Sequence, residues 1–175
     1  EAFRSVGDRF GANFALGNIT QIAYREFDWE EAKRTAEEQL ALARAVNHKM
    51  GQAGALTSLA TLACIEGDYV NAQKINTEAL KFAEASNEAQ CLHNVYNLES
   101  ELKIINGQLE EALSLIEVAK HYALKTNQHN RFLTTKLNLG LIKALQKRYE
   151  ESIALTTEVL IFAQEINNPR AISEC

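Results

Sequence analysis

Cysteine and histidine are the side chains in this chain of 175 residues that are best able to bind a metal. Cys91 and His93 form the closest pair, but residues two positions apart point to different sides of a helix. No Cys-x-x-Cys motif and no second pair at ligand spacing occurs, so no metal site is expected. His48, His121 and His129 fall near the expected helix ends, where surface and capping roles are usual.

Three pairs of adjacent glutamates have the chemistry for general acid-base catalysis. They are Glu30-Glu31, Glu110-Glu111 and Glu150-Glu151. Their regular spacing places each pair at the start of a helix, where the helix dipole favours negative charge. Compensation of the dipole therefore explains the pairs better than catalysis does.

Two further motifs also carry little weight. Gly7, Gly11 and Gly17 have too irregular a spacing for a phosphate-binding loop, and we interpret them as turn and packing residues. Asn18-Ile19-Thr20 matches a glycosylation sequon but falls inside an expected helix. No catalytic constellation is present, so we expect a protein that is not an enzyme and needs no cofactor.

The composition is that of a helical globular protein. Hydrophobic residues make up 46% and charged residues 23% of the chain, with 8 glycines and 1 proline. The net charge of −5 argues against direct nucleic-acid binding, and no run of about 20 apolar residues predicts a membrane span. The odd number of cysteines (Cys64, Cys91 and Cys175) favours reduced thiols and a cytoplasmic location. Met50 is the only methionine, so we expect a fragment of a longer protein.

An internal repeat of 40 residues organises the whole chain. One column of large residues contains Trp29, Tyr69, Leu109 and Tyr149. Alanine is invariant at 43, 83, 123 and 163, and asparagine at 47, 87, 127 and 167, with Gly7 one repeat earlier. Small residues occupy a further column at Thr20, Ala60, Ser100 and Gly140. A repeat of this length predicts stacked supersecondary units.

Each repeat is predicted to form two helices. Trp29, Ala32, Ala36, Leu40 and Ala43 follow helical spacing along one face of the second helix of the first unit. Asparagine and glycine readily adopt the left-handed conformation that ends a helix, so the asparagine column and Gly7 are expected to end each second helix. Gly67-Asp68 and residues 105–107 are predicted turns inside a pair.

The small column indicates how the paired helices meet. The residues at 20, 60, 100 and 140 are expected to oppose Ala32, Ala72, Ala112 and Ser152 across the helix pair. Small side chains on both sides let the two helices approach closely, and a large one would overpack the interface.

These patterns resemble the tetratricopeptide repeat (TPR). Asn138-Leu139-Gly140 followed by Tyr149-Glu150-Glu151-Ser152 carries the best match, and Gly67-Asp68-Tyr69 with Ala72 is the next. The period is longer than the common 34 residues and is similar to the long variety found in kinesin light chains, polarity adaptors and sensor arms of maltose-activator-type regulators. The resemblance implies an all-α, right-handed α-α superhelix.

A single repeat domain is expected over residues 1–175. Its units run over residues 8–47, 48–87, 88–127 and 128–167, with partial units at 1–7 and 168–175. No polar capping repeat is visible at either end. Either neighbouring repeats or an effector domain follow in a parent chain, or the ends meet another copy in a homodimer.

The resemblance also implies that the first helices line a concave ligand-binding groove. By register, its residues are Phe14, Gln21, Tyr24, Arg25, Thr57, Thr61, Asn94, Asn97, Glu101, Thr134, Leu137 and Leu141. Asn94 and Asn97 could hold an extended peptide backbone, and Leu137 and Leu141 an apolar anchor. Whether Ile65, Ile104, Ile105 and Leu145 belong to this surface or to the core stays open.

The expected function is a non-catalytic scaffold that binds a protein or peptide segment as a module of a larger regulatory protein. Two alternatives remain open. One is a ligand-sensing arm of a bacterial multidomain transcriptional regulator or signal-transduction ATPase. The other is a structural spacer for self-assembly.

Overall fold

The computed structural model describes residues 8–126, 129–166, 172 and 175. These residues form eight α-helices, and no strand occurs among them. The helices are α1 (Arg9–Arg25), α2 (Trp29–Ala45), α3 (Lys49–Ile65), α4 (Tyr69–Ser86), α5 (Ala89–Ile105), α6 (Leu109–Lys125), α7 (His129–Leu145) and α8 (Tyr149–Glu165). The all-α fold class is confirmed.

The helices follow the 40-residue repeat closely. α1, α3, α5 and α7 are the first helices of the pairs, and each is followed by its second helix. Helix starts recur every 20 residues, so both helices of a pair have nearly the same length. A short turn joins the first helix of each pair to the second, so the two helices of a pair run antiparallel.

The turns between pairs use asparagine as expected. Asn47 and Asn87 have φ values of 51° and 54°, in the left-handed region. Asparagine tolerates this conformation better than most residues, which explains its place after the second helix. Asn127, Asn167 and Gly7 lie outside the described residues.

The turns inside the pairs share a second left-handed column. Gly67 and Gly107 have φ values of 82° and 74°, as suits glycine. Phe27 and Lys147 hold the equivalent positions with φ values of 58° and 61°. The sequence did not suggest these two, because neither residue type favours a left-handed conformation.

Side chains also support the starts of several helices. Asp28 accepts a hydrogen bond from the backbone N–H of Glu31 at 3.0 Å, and Asp68 accepts one from Asn71 at 3.2 Å. Both aspartates are N-caps. The three glutamate pairs all lie in the first turns of second helices, as predicted from the dipole.

The chain divides into two compact units, residues 1–95 and residues 96–175, with the boundary inside α5. In the first unit, α1 packs on α2, α2 on α3 and α3 on α4, and α1 also contacts α3. One of its clusters contains Ala23, Tyr24, Ala32 and Leu62. A first helix thus touches its partner and also the first helix of the next pair.

The second unit repeats this packing. α6 packs on α7, and α7 on α8. One apolar cluster joins Ile104, Ala112, Ile116 and Ile142, and another joins Leu133, Val159 and Ala163. Ile104 therefore belongs to the core, whereas Ile65, Ile105 and Leu145 are about half exposed.

The small-residue columns are buried where the helices meet. Ala32, Ala72 and Ala112 are fully buried, as are Thr20, Ala60 and Ser100. A Cβ on Gly140 would lie 3.8 Å from the backbone oxygen of Ser152, so α7 and α8 approach closely there. On α2, the expected core face is confirmed for Ala32, Ala36, Leu40 and Ala43, but Trp29 is 37% exposed. Trp29 is the first residue of α2, next to the turn, and its side chain is therefore partly exposed to solvent.

Candidate partner-binding surface

The second unit contains a network of amide and carboxylate side chains on its first helices. On α5, Asn97 and Glu101 are four residues apart and so lie on one face of the helix. The Nδ2 of Asn97 donates to Oε1 of Glu101 at 2.8 Å. Asn97 is buried and Glu101 is half-buried.

Asn138 on α7 completes this network. Its Nδ2 donates to Oδ1 of Asn97 at 3.3 Å and to Oε1 of Glu101 at 3.1 Å. One carboxylate oxygen of Glu101 thus accepts from two amides on two helices. The arrangement fixes the side chain of Glu101, since hydrogen bonds to a charged acceptor are stronger than neutral ones.

Apolar side chains continue this face along α7. Leu141 lies one turn beyond Asn138 and is 48% exposed. Leu137 is half-buried and packs against the cluster of Leu133, Val159 and Ala163. Thr134 is half-buried one turn before Asn138. We call Glu101, Asn97, Asn138 and Leu141 the α5/α7 surface.

The chemistry of the α5/α7 surface is that of a recognition site. A fixed, partly exposed carboxylate accepts hydrogen bonds from backbone N–H groups or cations, and an exposed leucine contacts an apolar side chain. Asn97 differs from its expected role, because its amide is already engaged by Glu101 and Asn138. It positions the carboxylate and does not present itself to a peptide.

Ion pairs elsewhere in this unit join first helices to second helices. Lys103 contacts Glu111 at 2.7 Å, and Lys143 contacts Glu151 at 3.6 Å. The hydrogen bond with Glu111 raises the pKa of Lys103, and the hydrogen bond from Arg148 lowers the pKa of Glu151. These cations are neutralised by the chain's own carboxylates.

The predicted residues of the first unit are divided between surface and interior. Phe14 is 64% exposed, and Gln21 and Arg25 are also exposed. Thr61 and Asn94 are half-buried. Asn94 belongs to the first unit, whereas Asn97 belongs to the second.

Tyr24 and Thr57 lie inside the packing of the first unit and not on an open surface. The hydroxyl of Tyr24 donates to the backbone oxygen of Ser58, which joins α1 to α3. The hydroxyl of Thr57 donates to the backbone oxygen of Ala53 at 2.8 Å. Both side chains are buried because the first helices of neighbouring pairs contact each other along this line.

Sequence reasoning did not include Asn138 in the site. Its register equivalents are Asn18, Ser58 and Leu98, so the column contains one other amide but does not predict that the amide at 138 meets Asn97. The available signal was a polar residue between Leu137 and Leu139 on a helix that was expected to pack against its neighbours. Only the placement of α5 beside α7 shows its partner.

Comparison with models of protein families gave no match, and comparison with curated proteins gave none either. Over the described residues, no group of three histidine, cysteine, aspartate or glutamate side chains is placed to hold a metal ion. Nor is any helix in that part of the chain long and apolar enough to cross a membrane.

Proposed function

We propose that the protein is a TPR-like helical repeat module that binds a protein or peptide segment without catalysing a reaction. The resemblance of the 40-residue units to this repeat, with its right-handed superhelix and groove, is part of the proposal. The observation that carries it is the α5/α7 surface, where a carboxylate is held by two amides and one of these amides, Asn138, lies one helical turn before an exposed leucine.

The ligand that suits this surface is an extended or helical segment with one apolar side chain and a nearby donor. Leu141 supplies the apolar contact, and Glu101 accepts the hydrogen bond. The amides of Asn97 and Asn138 hold the carboxylate before binding, which lowers the ordering cost of recognition. A repeat built this way acts as a module of a larger regulatory protein.

We place this function in the cytoplasm. Cys64, Cys91 and Cys175 are thiols, which supports a reducing compartment. The half-buried Cys64 and the buried Cys91 lie on first helices and serve the packing as small apolar side chains.

A peptide-display selection on the wild-type protein tests the proposal. A selected peptide is labelled, and its affinity is measured by fluorescence anisotropy for wild type, Leu141→Glu and Glu101→Gln. Ile161→Glu on α8 is the matched control, because Ile161 is 53% exposed on a second helix. Circular dichroism confirms that each variant keeps its helices.

We expect Leu141→Glu to weaken binding at least about tenfold, because it places a charge where an apolar contact forms. Glu101→Gln should weaken it by a smaller factor, and Ile161→Glu by less than about twofold. Equal affinities for Leu141→Glu and wild type would contradict the proposal. Sensing of a small ligand and self-assembly stay predictions from the sequence, with no structural observation that favours either.

A further inference from the structure

The turn between α1 and α2 exposes aromatic side chains that are joined to the core. Phe27 is 65% exposed, and its ring centroid lies 5.6 Å from that of Trp29 in an edge-to-face arrangement. Trp29 in turn lies 5.9 Å from Tyr24, which is buried and bonded to Ser58. The exposed ring of Phe27 therefore packs against Trp29, which in turn packs against the buried Tyr24.

Packing does not explain why phenylalanine occupies this turn. Phe27 has a left-handed φ of 58° at a position where two other repeats have glycine. Glycine adopts this conformation without steric cost, whereas a residue with a Cβ is strained. The strained side chain is mostly exposed and contributes little to the core, which directs attention to a role in binding.

The same turn is acidic. Glu26, Asp28 and Glu30 are exposed, and residues 25–30 contain these three negative charges against the single positive charge of Arg25. In the described part of the chain, no ion pair involves any of these three carboxylates. We call residues 26–30 the acidic turn.

Cations on the neighbouring turn of α2 are already engaged. Lys33 contacts Glu66 at 3.1 Å, and Arg34 contacts Glu31 at 2.6 Å. The hydrogen bond from Arg34 lowers the pKa of Glu31, as expected for a paired carboxyl. Among the described residues, therefore, no cation neutralises the acidic turn, and its charge can attract a ligand.

We propose that the acidic turn binds a protein segment that carries arginine or lysine next to an apolar side chain. The ring faces of Phe27 and Trp29 attract a cation and contact the apolar neighbour, and the carboxylates pair with the charge. This surface lies in the first unit and shares no residue with the α5/α7 surface. A negative result for one of the two proposals therefore does not contradict the other.

The last described pair provides a natural control. Residues 146–150, the basic turn, have the same left-handed position at Lys147 and the same aromatic column at Tyr149, which is 60% exposed. Arg148 replaces the aspartate of the acidic turn and pairs with Glu151. A basic segment is repelled from this turn although its backbone conformation is equivalent.

Trp29 is the only tryptophan of the chain, so its emission reports on the acidic turn directly. The probe is a short acetylated peptide of alternating arginine and leucine. One matched peptide replaces each arginine with neutral citrulline, and another replaces each leucine with glycine. We expect a saturable change in Trp29 emission with the first peptide, weaker binding of both controls, and lower affinity at high ionic strength.

Three variants locate the binding. The affinity for the arginine-leucine peptide should fall at least about tenfold in Phe27→Gly. It should fall by a similar factor in the triple variant Glu26→Gln/Asp28→Asn/Glu30→Gln. Asparagine at 28 still caps α2, so the triple variant keeps the helix start. Lys147→Gly in the basic turn makes the same backbone change without touching the site, and its affinity should match wild type within about twofold.

Stability measurements separate binding from folding. Phe27→Gly should keep or raise the thermal midpoint of unfolding while its affinity for the peptide falls. Phe27→Asn should behave in the same way, because asparagine also tolerates the left-handed conformation. A lower midpoint for both variants would assign Phe27 to the fold and overturn the proposal. No saturable change with the probe would overturn it as well. A Trp29 emission that changes only on dilution of the protein would assign the turn to a second copy instead.

Discussion

Asn13 in the first unit and Asn138 in the second unit are both buried amides on a first helix, but their surroundings differ. Nδ2 of Asn13 donates to the backbone oxygen of Gln39 at 2.8 Å, and its Oδ1 lies 3.2 Å from Nδ1 of His48. The residue is 1% exposed, and its partners belong to the packing of three helices. Asn138 is 9% exposed and bonds a half-buried carboxylate.

The difference shows two uses of a buried amide. Where the amide donates to a buried backbone oxygen, as at Asn13, it fixes how the helices pack, and its loss leaves that oxygen without a partner. Where one partner reaches the surface, as at Asn138, the amide positions a group for recognition, and water can replace it. Substitutions at matched positions of the two units, and at contrasting positions within one unit, measure how tightly each region packs.

The largest effect is expected where the small-residue column meets a large side chain. Ala72 is fully buried in the first unit, whereas Ser152, its register equivalent in the second, is half-buried. Ala72→Phe should lower the free energy of unfolding by about 3 kcal/mol, at the upper end of overpacking effects, and Ser152→Phe by about 1 kcal/mol.

Urea denaturation measures both variants. Glu37→Ala on the exposed side of α2 is the control and should change the free energy of unfolding by less than about 0.5 kcal/mol. Thermal midpoints for Ala72→Phe and Glu37→Ala that coincide would contradict the close helix pairing.

A second prediction compares two glycines on α3. A Cβ on Gly51 would lie 2.2 Å from Oδ1 of Asn13 and 2.7 Å from Nδ1 of His48, whereas a Cβ on Gly54 meets nothing within 4 Å. Gly51→Ala should therefore destabilise the protein by about 2 kcal/mol, because it displaces a buried hydrogen-bonded amide.

Gly54→Ala is the matched control and should have the opposite sign. Alanine in a helix interior is favoured over glycine by about 0.5–1 kcal/mol, so this variant should be more stable than wild type. Thermal unfolding of the two variants gives the signs directly. Loss of stability in both would mean that α3 is not placed as described.

The amides themselves allow the most direct comparison. Asn13→Ala should cost about 2 kcal/mol, since the backbone oxygen of Gln39 and the ring of His48 lose a buried partner. Asn138→Ala should cost about 0.5 kcal/mol, because water can reach Glu101. Urea titrations that give equal losses of unfolding free energy for Asn13→Ala and Asn138→Ala would contradict the difference between the two amides.

The smallest effect concerns the left-handed turns. Lys147 has a φ of 61° in the column where Gly107 has 74°. Lys147→Gly should stabilise the protein by about 0.5 kcal/mol, because relief of strain exceeds the entropy cost of glycine. Gly107→Lys should destabilise it by about 1 kcal/mol. Differential scanning calorimetry resolves the two directions, and stabilisation by Gly107→Lys would contradict the turn geometry.

Much of the fold could be predicted from the sequence, because each residue column recurs in the four repeats. The columns of alanine and asparagine predicted two helices in each unit, and the described turns confirm the asparagine conformations at 47 and 87. The candidate site could be predicted only in part. Glu101 and Leu141 are at least partly exposed, whereas Tyr24 and Thr57 are enclosed by neighbouring first helices.

The helices, their lengths and their order follow from local signals along the chain. Helical periodicity, caps and turn residues act over a few positions, so one repeat contains all the information that they need. The contact of Asn138 with Asn97 and Glu101, and the strained turn at Phe27, were decided by tertiary structure. The amide contact depends on which residues of different helices meet. The backbone at Phe27 follows the turn that joins α1 to α2, against the local preference of phenylalanine for another conformation.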